Sequence, residues 1–324
     1  MKRLAELAVL AALGLALSAL WLNFARFDLG PRNGLAALVA GTAERPFVER
    51  QLAPLLVRSL IAIPGVEIPQ AARLLVAMSC VGWLWALRWL AQLVTPGSAM
   101  VATVLAVGPV GLLFLSGGYV YDPLTLALFT LALALLAREH WLAYCVLFPL
   151  LVLSKETAIL LVPVYALWAW DRALDREWII GLWYQVMVFV FIKAMLAIAF
   201  AGNPGSTVEF HPLEQAAFLQ DYPLPNVLAL SVYGAGLAAA LWRWRWQPPF
   251  LRAAAMLLPL MFAAYWVTGY PGEIRVFLEA YPVLYLLVWH TVWTRAALPT
   301  VATIARWIEG RRRWGPATDA MLDR

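Results

Sequence analysis

From Leu7 to Trp293 the chain runs through one apolar stretch after another, several of them as long as a bilayer is thick. That pattern constrains the fold more than any motif does. A segment surrounded by hydrocarbon has to satisfy its own backbone N–H and C=O groups, and a continuous apolar run does so as a helix. Composition agrees: 63% of the 324 residues are hydrophobic and 13% are charged, about half the charge of a soluble globular chain. A soluble enzyme, a disordered tail and a disulfide-stapled secreted domain are excluded. The chain reads as all-α, a polytopic transmembrane helical bundle.

Met1, Lys2 and Arg3 precede an apolar run from Leu7 to Leu22 that exceeds the ~7–15 residues of a cleaved signal core, so an uncleaved anchor is expected. Further spans are expected over 71–93, 99–116, 123–137, 141–153, 157–170, 179–200, 226–242, 254–268 and 276–293. With the anchor they make about ten, some short enough to be kinked or re-entrant. Residues 51–63, with Arg58 amid apolar neighbours, are expected to lie along the interface. The stretch from Trp141 to Trp170 decides the topology. As one helix it would measure about 45 Å against a hydrocarbon core of about 30 Å. Ser154, Lys155, Glu156 and Thr157 interrupt it with charges that are expensive at mid-membrane. A hairpin is therefore expected there.

The hairpin places both termini on the cytoplasmic side, together with Arg88, Arg138, Arg172, Arg176, Arg243, Arg245, Arg252 and the basic tail. The positive-inside rule then accounts for the net charge of +5 without nucleic acid. The division that follows is a helical domain over 1–298, with outer loops at 26–70 and 201–225, and a basic cytoplasmic tail over 299–324. The tail is expected to rest on anionic membrane lipids. Cys80 and Cys145 both lie in apolar runs and read as small hydrophobes. No zinc spacing, P-loop, nucleophile elbow or metalloprotease motif is present.

The same topology gathers the remaining polar residues on the outer face, as a polar site or as ordinary solvated loops. Asp28, at the end of the first span, is a candidate general base, since a partly dry cleft raises a carboxyl pKa toward a useful range. Arg26 and Arg32 are placed to hold an anionic donor, or to pair with Asp28 or with lipid headgroups. Asp122 stands in the segment Gly117, Gly118, Tyr119, Val120, Tyr121, Asp122, Pro123. It is either a functional carboxylate or a helix N-cap with Pro123 in the first turn. Lys155 and Glu156 top the hairpin, and His211 is the one histidine outside. Glu273 and Arg275 follow the ninth span, and a helix would bring Arg275 and Glu279 together as an ion pair.

These pieces resemble the multi-spanning GT-C glycosyltransferases, among them protein mannosyltransferases, aminoarabinose transferases and the catalytic oligosaccharyltransferase subunit. Asp28 matches the acidic residue after their first span. The segment from Gly118 to Phe129 is similar to their second outer acidic motif, and the run from Leu151 to Thr157, followed by Val162 and Pro163, to their lysine-bearing helix break. The segments 45–54 and 272–278 resemble uncharacterised bacterial membrane proteins near this group. The resemblance implies a bacterial inner-membrane enzyme whose donor is a sugar on a polyprenyl phosphate, with a lipid, glycan or protein acceptor. Asp28 and Asp122 would be catalytic, the first deprotonating the acceptor and the second positioning the acceptor or a divalent ion. Arg275 and Lys155 would stabilise the departing phosphate, and Arg26, Arg32, Tyr121, Glu156, His211 and Glu273 complete the expected substrate contacts. Asp28 lacks the acidic neighbour of many relatives, and acceptor recognition by a large soluble C-terminal domain is not expected. With two carboxylates a thin oxygen cage, a divalent cation stays open and no metal ligand is assigned. Two other readings compete: a transporter or flippase, for which Lys193 is the clearest pathway residue, and a non-catalytic assembly partner for lipid-linked envelope precursors.

Overall fold

The computed structural model describes residues 2–24, 32–114, 118–170, 173, 175–206, 208–218, 224–270 and 272–294. Arg26, Asp28, Asp221 and the tail from 299 onward lie outside these residues. Among the described residues every named element is helical, and one isolated bridge pairs Arg45 with Gly205. Among the described residues five stretches are long and apolar enough to cross a membrane: Leu4–Phe24, Ile68–Val94, Pro96–Phe114, Arg176–Ala199 and Pro249–Thr268.

The chain opens with α1 (Lys2–Phe24). Where an outer loop is expected over 26–70, it places α2 (Leu35–Ala40), a 3-10 turn (Phe47–Glu49) and α3 (Leu52–Ile61). The long α4 (Ile68–Val94) starts on a capping box, in which Glu67 and Gln70 satisfy each other's backbone N–H groups. The run expected over 99–116 is two helices, α5 (Ala99–Leu105) and α6 (Val107–Phe114). Pro109 cannot donate back to Leu105, which breaks the helix there. Carbonyls near the break keep their helical N–H donors and take a side-chain donor as well: Tyr281 Oη reaches Ala106 O at 2.6 Å and Tyr285 Oη reaches Ala102 O at 2.5 Å.

Next come α7 (Asp122–Ala137), α8 (Trp141–Ser154), a 3-10 turn (Glu156–Leu160) and α9 (Leu161–Trp168). Lys155 is extended, at φ −161° and ψ 146°, so the helix stops where the charges predict. The chain also doubles back: the Trp141 ring meets Tyr165 at 5.3 Å, and Trp168 Nε1 donates to Leu136 O at 3.1 Å. The rest is α10 (Arg176–Ala199), α11 (Pro212–Phe218), α12 (Leu224–Trp242), α13 (Pro249–Ala254), α14 (Leu257–Thr268), a 3-10 turn (Ile274–Glu279) and α15 (281–294).

α4 is the hub, packed chiefly on α7 and α1, with Val76, Trp83, Leu84, Leu87 and Ala91 buried. Lipid is as apolar as leucine, so packing in a membrane depends on close approach. Gly14 supplies that approach: a Cβ there would lie 2.7 Å from Val81 Cα on α4. α10 is the contrast, with only Gln185 and Leu196 buried. Polar contacts hold it: Tyr144 Oη to Gln185 Oε1 and Tyr184 Oη to Cys145 O, each 2.7 Å, and an ion pair between Lys193 and Glu49. Cys80 and Cys145 are both free thiols.

The two expected outer loops are not free loops but lock onto each other. Asn203 Nδ2 donates to Gly41 O (3.0 Å) and Ala43 O (2.8 Å), Arg45 N to Pro204 O (2.8 Å), and Arg45 Nη2 to Gly205 O (2.9 Å). At the far end of α4, Arg88 pairs with Glu6, and Arg138 lies 4.7 Å over the Trp89 ring while donating to Trp89 O.

Candidate functional site

A cavity of about 320 Å³ opens among the first turn of α7, the α8–α9 break, α10, α14 and the turn 274–279. Its wall carries four cations, Arg50, Lys155, Lys193 and Arg275, and four carboxylates, Asp122, Glu156, Glu209 and Glu273. Charges in so apolar a chain are costly unless paired, and here the structure pairs them.

Asp122 is 4% exposed. Its Oδ2 accepts the Tyr119 N–H at 2.8 Å and Arg275 Nη1 at 2.9 Å. The Arg275 guanidinium also pairs with Glu273 and covers the Tyr119 ring, 3.9 Å from its centroid. Burial alone would favour a neutral Arg275, but Asp122 together with Tyr119 and Tyr121 outweighs it and keeps the guanidinium protonated, with its pKa above the usual range.

Arg50 sits at the end of the turn Phe47–Glu49, 5.3 Å from the Phe47 ring and 5.1 Å from that of Tyr121. Nη1 donates to Tyr121 Oη at 2.5 Å, while Nη2 and Nε reach Glu156 at 2.6 and 3.2 Å. Burial pushes the Tyr121 phenol well up, so it is a neutral partner. Burial would also push the Glu156 carboxyl up. Arg50, as charge and as hydrogen-bond donor, outweighs that with help from Lys193 and Lys155 and holds it down at about 2.

Both lysines are backed by buried glutamates. Lys155 Nζ lies 2.6 Å from Glu279 Oε1, which also accepts from Thr157 Oγ1 at 3.2 Å, and Lys193 pairs with Glu49. The Glu279 and Glu49 side chains are 1% and 0% exposed. They stand behind the wall, so the cavity meets the ammonium groups. On the rim, Arg32 pairs with Glu209 (2.8 Å) and Glu44 (3.5 Å), donates to Tyr270 Oη, and lies 5.2 Å from the Tyr270 ring. His211 Nδ1 is 2.7 Å from Glu214, with its ring 4.4 Å from that of Tyr270.

Of the residues singled out from the sequence, Asp122, Lys155, Glu156, Glu273 and Arg275 line this one cavity. Arg32, Tyr121 and His211 stand one layer back, on its rim or behind its wall. Asp28 and Arg26 fall outside the described residues. Two expectations are corrected. Asp122 does not cap α7: the N-cap is Tyr121, and the carboxylate turns back to the Tyr119 N–H and across to Arg275. Arg275 and Glu279 do not pair, because 274–279 is a 3-10 turn, in which residues four apart no longer stack on one face. Each finds a distant partner instead.

Arg50, Tyr119, Glu49, Lys193 and Glu279 complete the network although the sequence did not assign them to the site. The available signal was the isolation of Lys193 in α10 and of Glu279 between apolar neighbours, since an ionisable residue there requires a partner. No group of three or more His, Cys, Asp or Glu residues fit to hold a metal ion occurs among the described residues. Asp122 is already committed to Arg275 and a backbone N–H, so the described donors do not suit a divalent cation.

A second hollow, an apolar groove of about 610 Å³, shares α14 and the turn 274–279 with the cavity. Leu258, Phe262 and Phe277 line the groove, whereas Met261, Thr268 and Val276 line the cavity. α12 and α15 close the groove through Leu230, Tyr233, Leu237, Tyr281 and Leu284. The sequence matches no protein-family model, and neither the curated proteins nor the solved structures give a match.

Proposed function

We propose that this chain is a multi-pass membrane glycosyltransferase that moves a sugar from a polyprenyl-phosphate carrier to an acceptor on the outer face, as the GT-C enzymes it resembles do. One observation carries the reading: a charged, monosaccharide-scale cavity and an apolar groove share a single partition, α14 and the turn 274–279. An amphiphile with a polar head and a long apolar tail has the matching shape. About ten spans with both termini inside, in a bacterial inner membrane, belong to the same proposal. The doubling-back at Lys155 and the arginines near the far end of the bundle support it.

In this reading the acceptor oxygen attacks the anomeric carbon, the bond from that carbon to the phosphate oxygen breaks, and the carrier phosphate departs with the electron pair. Asp28 takes the acceptor proton. Arg275 and Lys155, fixed by Asp122 and Glu279, meet the charge that grows on the leaving phosphate, where a water-poor cleft makes such contacts strong. Asp122 acts through Arg275 and is a positioning residue. No step is routed through a metal ion.

Native mass spectrometry of lipids retained by purified wild type and Asp28→Asn tests the proposal. A polyprenyl-phosphate sugar enriched on the variant is the expected result. Its absence from both folded proteins, with extraction controls passing, overturns the reading in favour of a transporter or an assembly partner.

A further inference from the structure

The wall of the charged cavity contains one carboxylate unlike the rest. Asp122 is held by a guanidinium and a backbone N–H, Glu209 by Arg32 and Tyr270, and Glu273 by Arg275. Glu156, paired with Arg50 alone among the described cations, differs in exposure: its side chain is 38% exposed, against 5%, 18% and 17% for those three. It opens the 3-10 turn at the helix break, at the edge of the cavity.

The cations around it keep their places without it. Arg50 is flanked by two aromatic rings and bonded to Tyr121. Lys193 has Glu49 and Lys155 has Glu279, both glutamates being buried behind the wall. Arg50, Lys155 and Lys193 all line the cavity beside Glu156, close enough for each charge to act on its carboxylate. Three separately anchored cations around one carboxylate that is open to the cavity and held by Arg50 alone make an anion site with an internal occupant.

We propose that Glu156 is a resident carboxylate filling a phosphate site, and that the ligand's phosphate group, free or lipid-borne, enters by displacing it from Arg50. The proposal rests on the preceding reading only in naming phosphate. The guanidinium edge that receives two carboxylate oxygens offers the same bidentate fork to a phosphate. While the site is empty of ligand, Glu156 spares three neighbouring cations from facing one another across a low-dielectric cavity.

The test measures phosphate binding to the full chain in detergent, by thermal shift and calorimetry, with chloride at matched ionic strength as control. Inorganic phosphate and farnesyl phosphate are the two probes. Glu156→Gln removes the competing charge, and affinity for at least one probe should rise by about tenfold or more. Arg50→Gln in that background should erase the gain. A gain with farnesyl phosphate alone assigns a lipid headgroup; a gain with inorganic phosphate alone assigns the free anion. Unchanged or weaker binding by folded Glu156→Gln overturns the proposal and leaves Glu156 as a mere counter-ion. If Glu156→Gln fails to fold, Glu156→Asp replaces it: the shorter, looser carboxylate should bind phosphate more tightly than wild type, and unchanged affinity again overturns the idea. Sugar transfer is read in neither arm. A phosphate gain in a protein that retains no carrier sugar keeps this site and sinks the enzyme, while no gain in an active transferase does the reverse.

Discussion

The cavity and the groove share two walls yet are held together by opposite physics. In the groove, leucines, tyrosines and phenylalanines surround an apolar volume, and no charged pair depends on any one of them. In the cavity most charges are anchored by a residue far away in sequence, and losing a buried glutamate such as Glu279 or Glu49 strands its lysine. The difference teaches where this molecule is rigid. A lining of interchangeable contacts adapts to its content, whereas a lining of paired ions fixes it. α14, serving both, brings only Met261, Ala264, Tyr265 and Thr268 to the cavity, and the ions there belong to its neighbours.

The sharpest way to break the comparison is to strand a lysine. Glu279→Leu leaves Lys155 buried opposite an apolar side chain and should cost about 3–5 kcal/mol in thermal unfolding. Lys155→Met in the same chain should restore most of it. If the double variant is as unstable as the single, the pair is not what the wall depends on. Next in size is Tyr121→Phe, which takes one donor–acceptor contact from the charged Arg50 and should cost about 1.5–3 kcal/mol in the same assay.

Acid sharpens the comparison without mutation. Glu156 is held at about 2 against an ordinary 4.5. The stability it contributes is therefore complete above about pH 4.5 and is lost as pH falls toward about 2. Wild type should lose thermal stability over that window by more than Glu156→Gln does, and parallel curves would remove Glu156 from the account. The smallest effect belongs to the groove. A Cβ at Gly234 meets nothing within 4 Å, so Gly234→Leu should change stability by less than about 1 kcal/mol. It should nonetheless reduce retention of a polyprenyl lipid; unchanged retention would mean the groove is not the tail's seat.

What was legible in the sequence follows from the same physics. The interruption at Lys155 was readable because 30 Å of hydrocarbon limits any helix, and a charge inside an apolar run violates that environment. Lys155 and Glu156 stood out for that reason, and Asp122, Glu273 and Arg275 as charges at the edges of expected spans. Their partners did not, because pairing is set by packing between helices: Asp122 and Arg275 are 153 residues apart, Glu49 and Lys193 144. The expected Arg275–Glu279 pair failed on pitch, since a short segment beside a glycine and a proline carries no signal that separates a 3-10 turn from an α-helix. Arg50 was hidden in a stretch read as loop, where the aromatic residues that clamp it, Phe47 and Tyr121, come from separate segments.

α10 was described above as a long helix fastened at Gln185, Tyr184 and Lys193, with about half of its residues turned outward. A surface asked only to be greasy accepts many spellings. Mutation on that exposed half is nearly silent as long as length and hydrophobicity persist, so it is the stretch in which ancestry should fade first. The three fastening residues are its exception, with Gly181, where a Cβ would run into Tyr165 Oη. In an alignment of descendants they should read as isolated fixed letters in a drifting text, and Lys193 should vanish only in lineages that also lose Glu49.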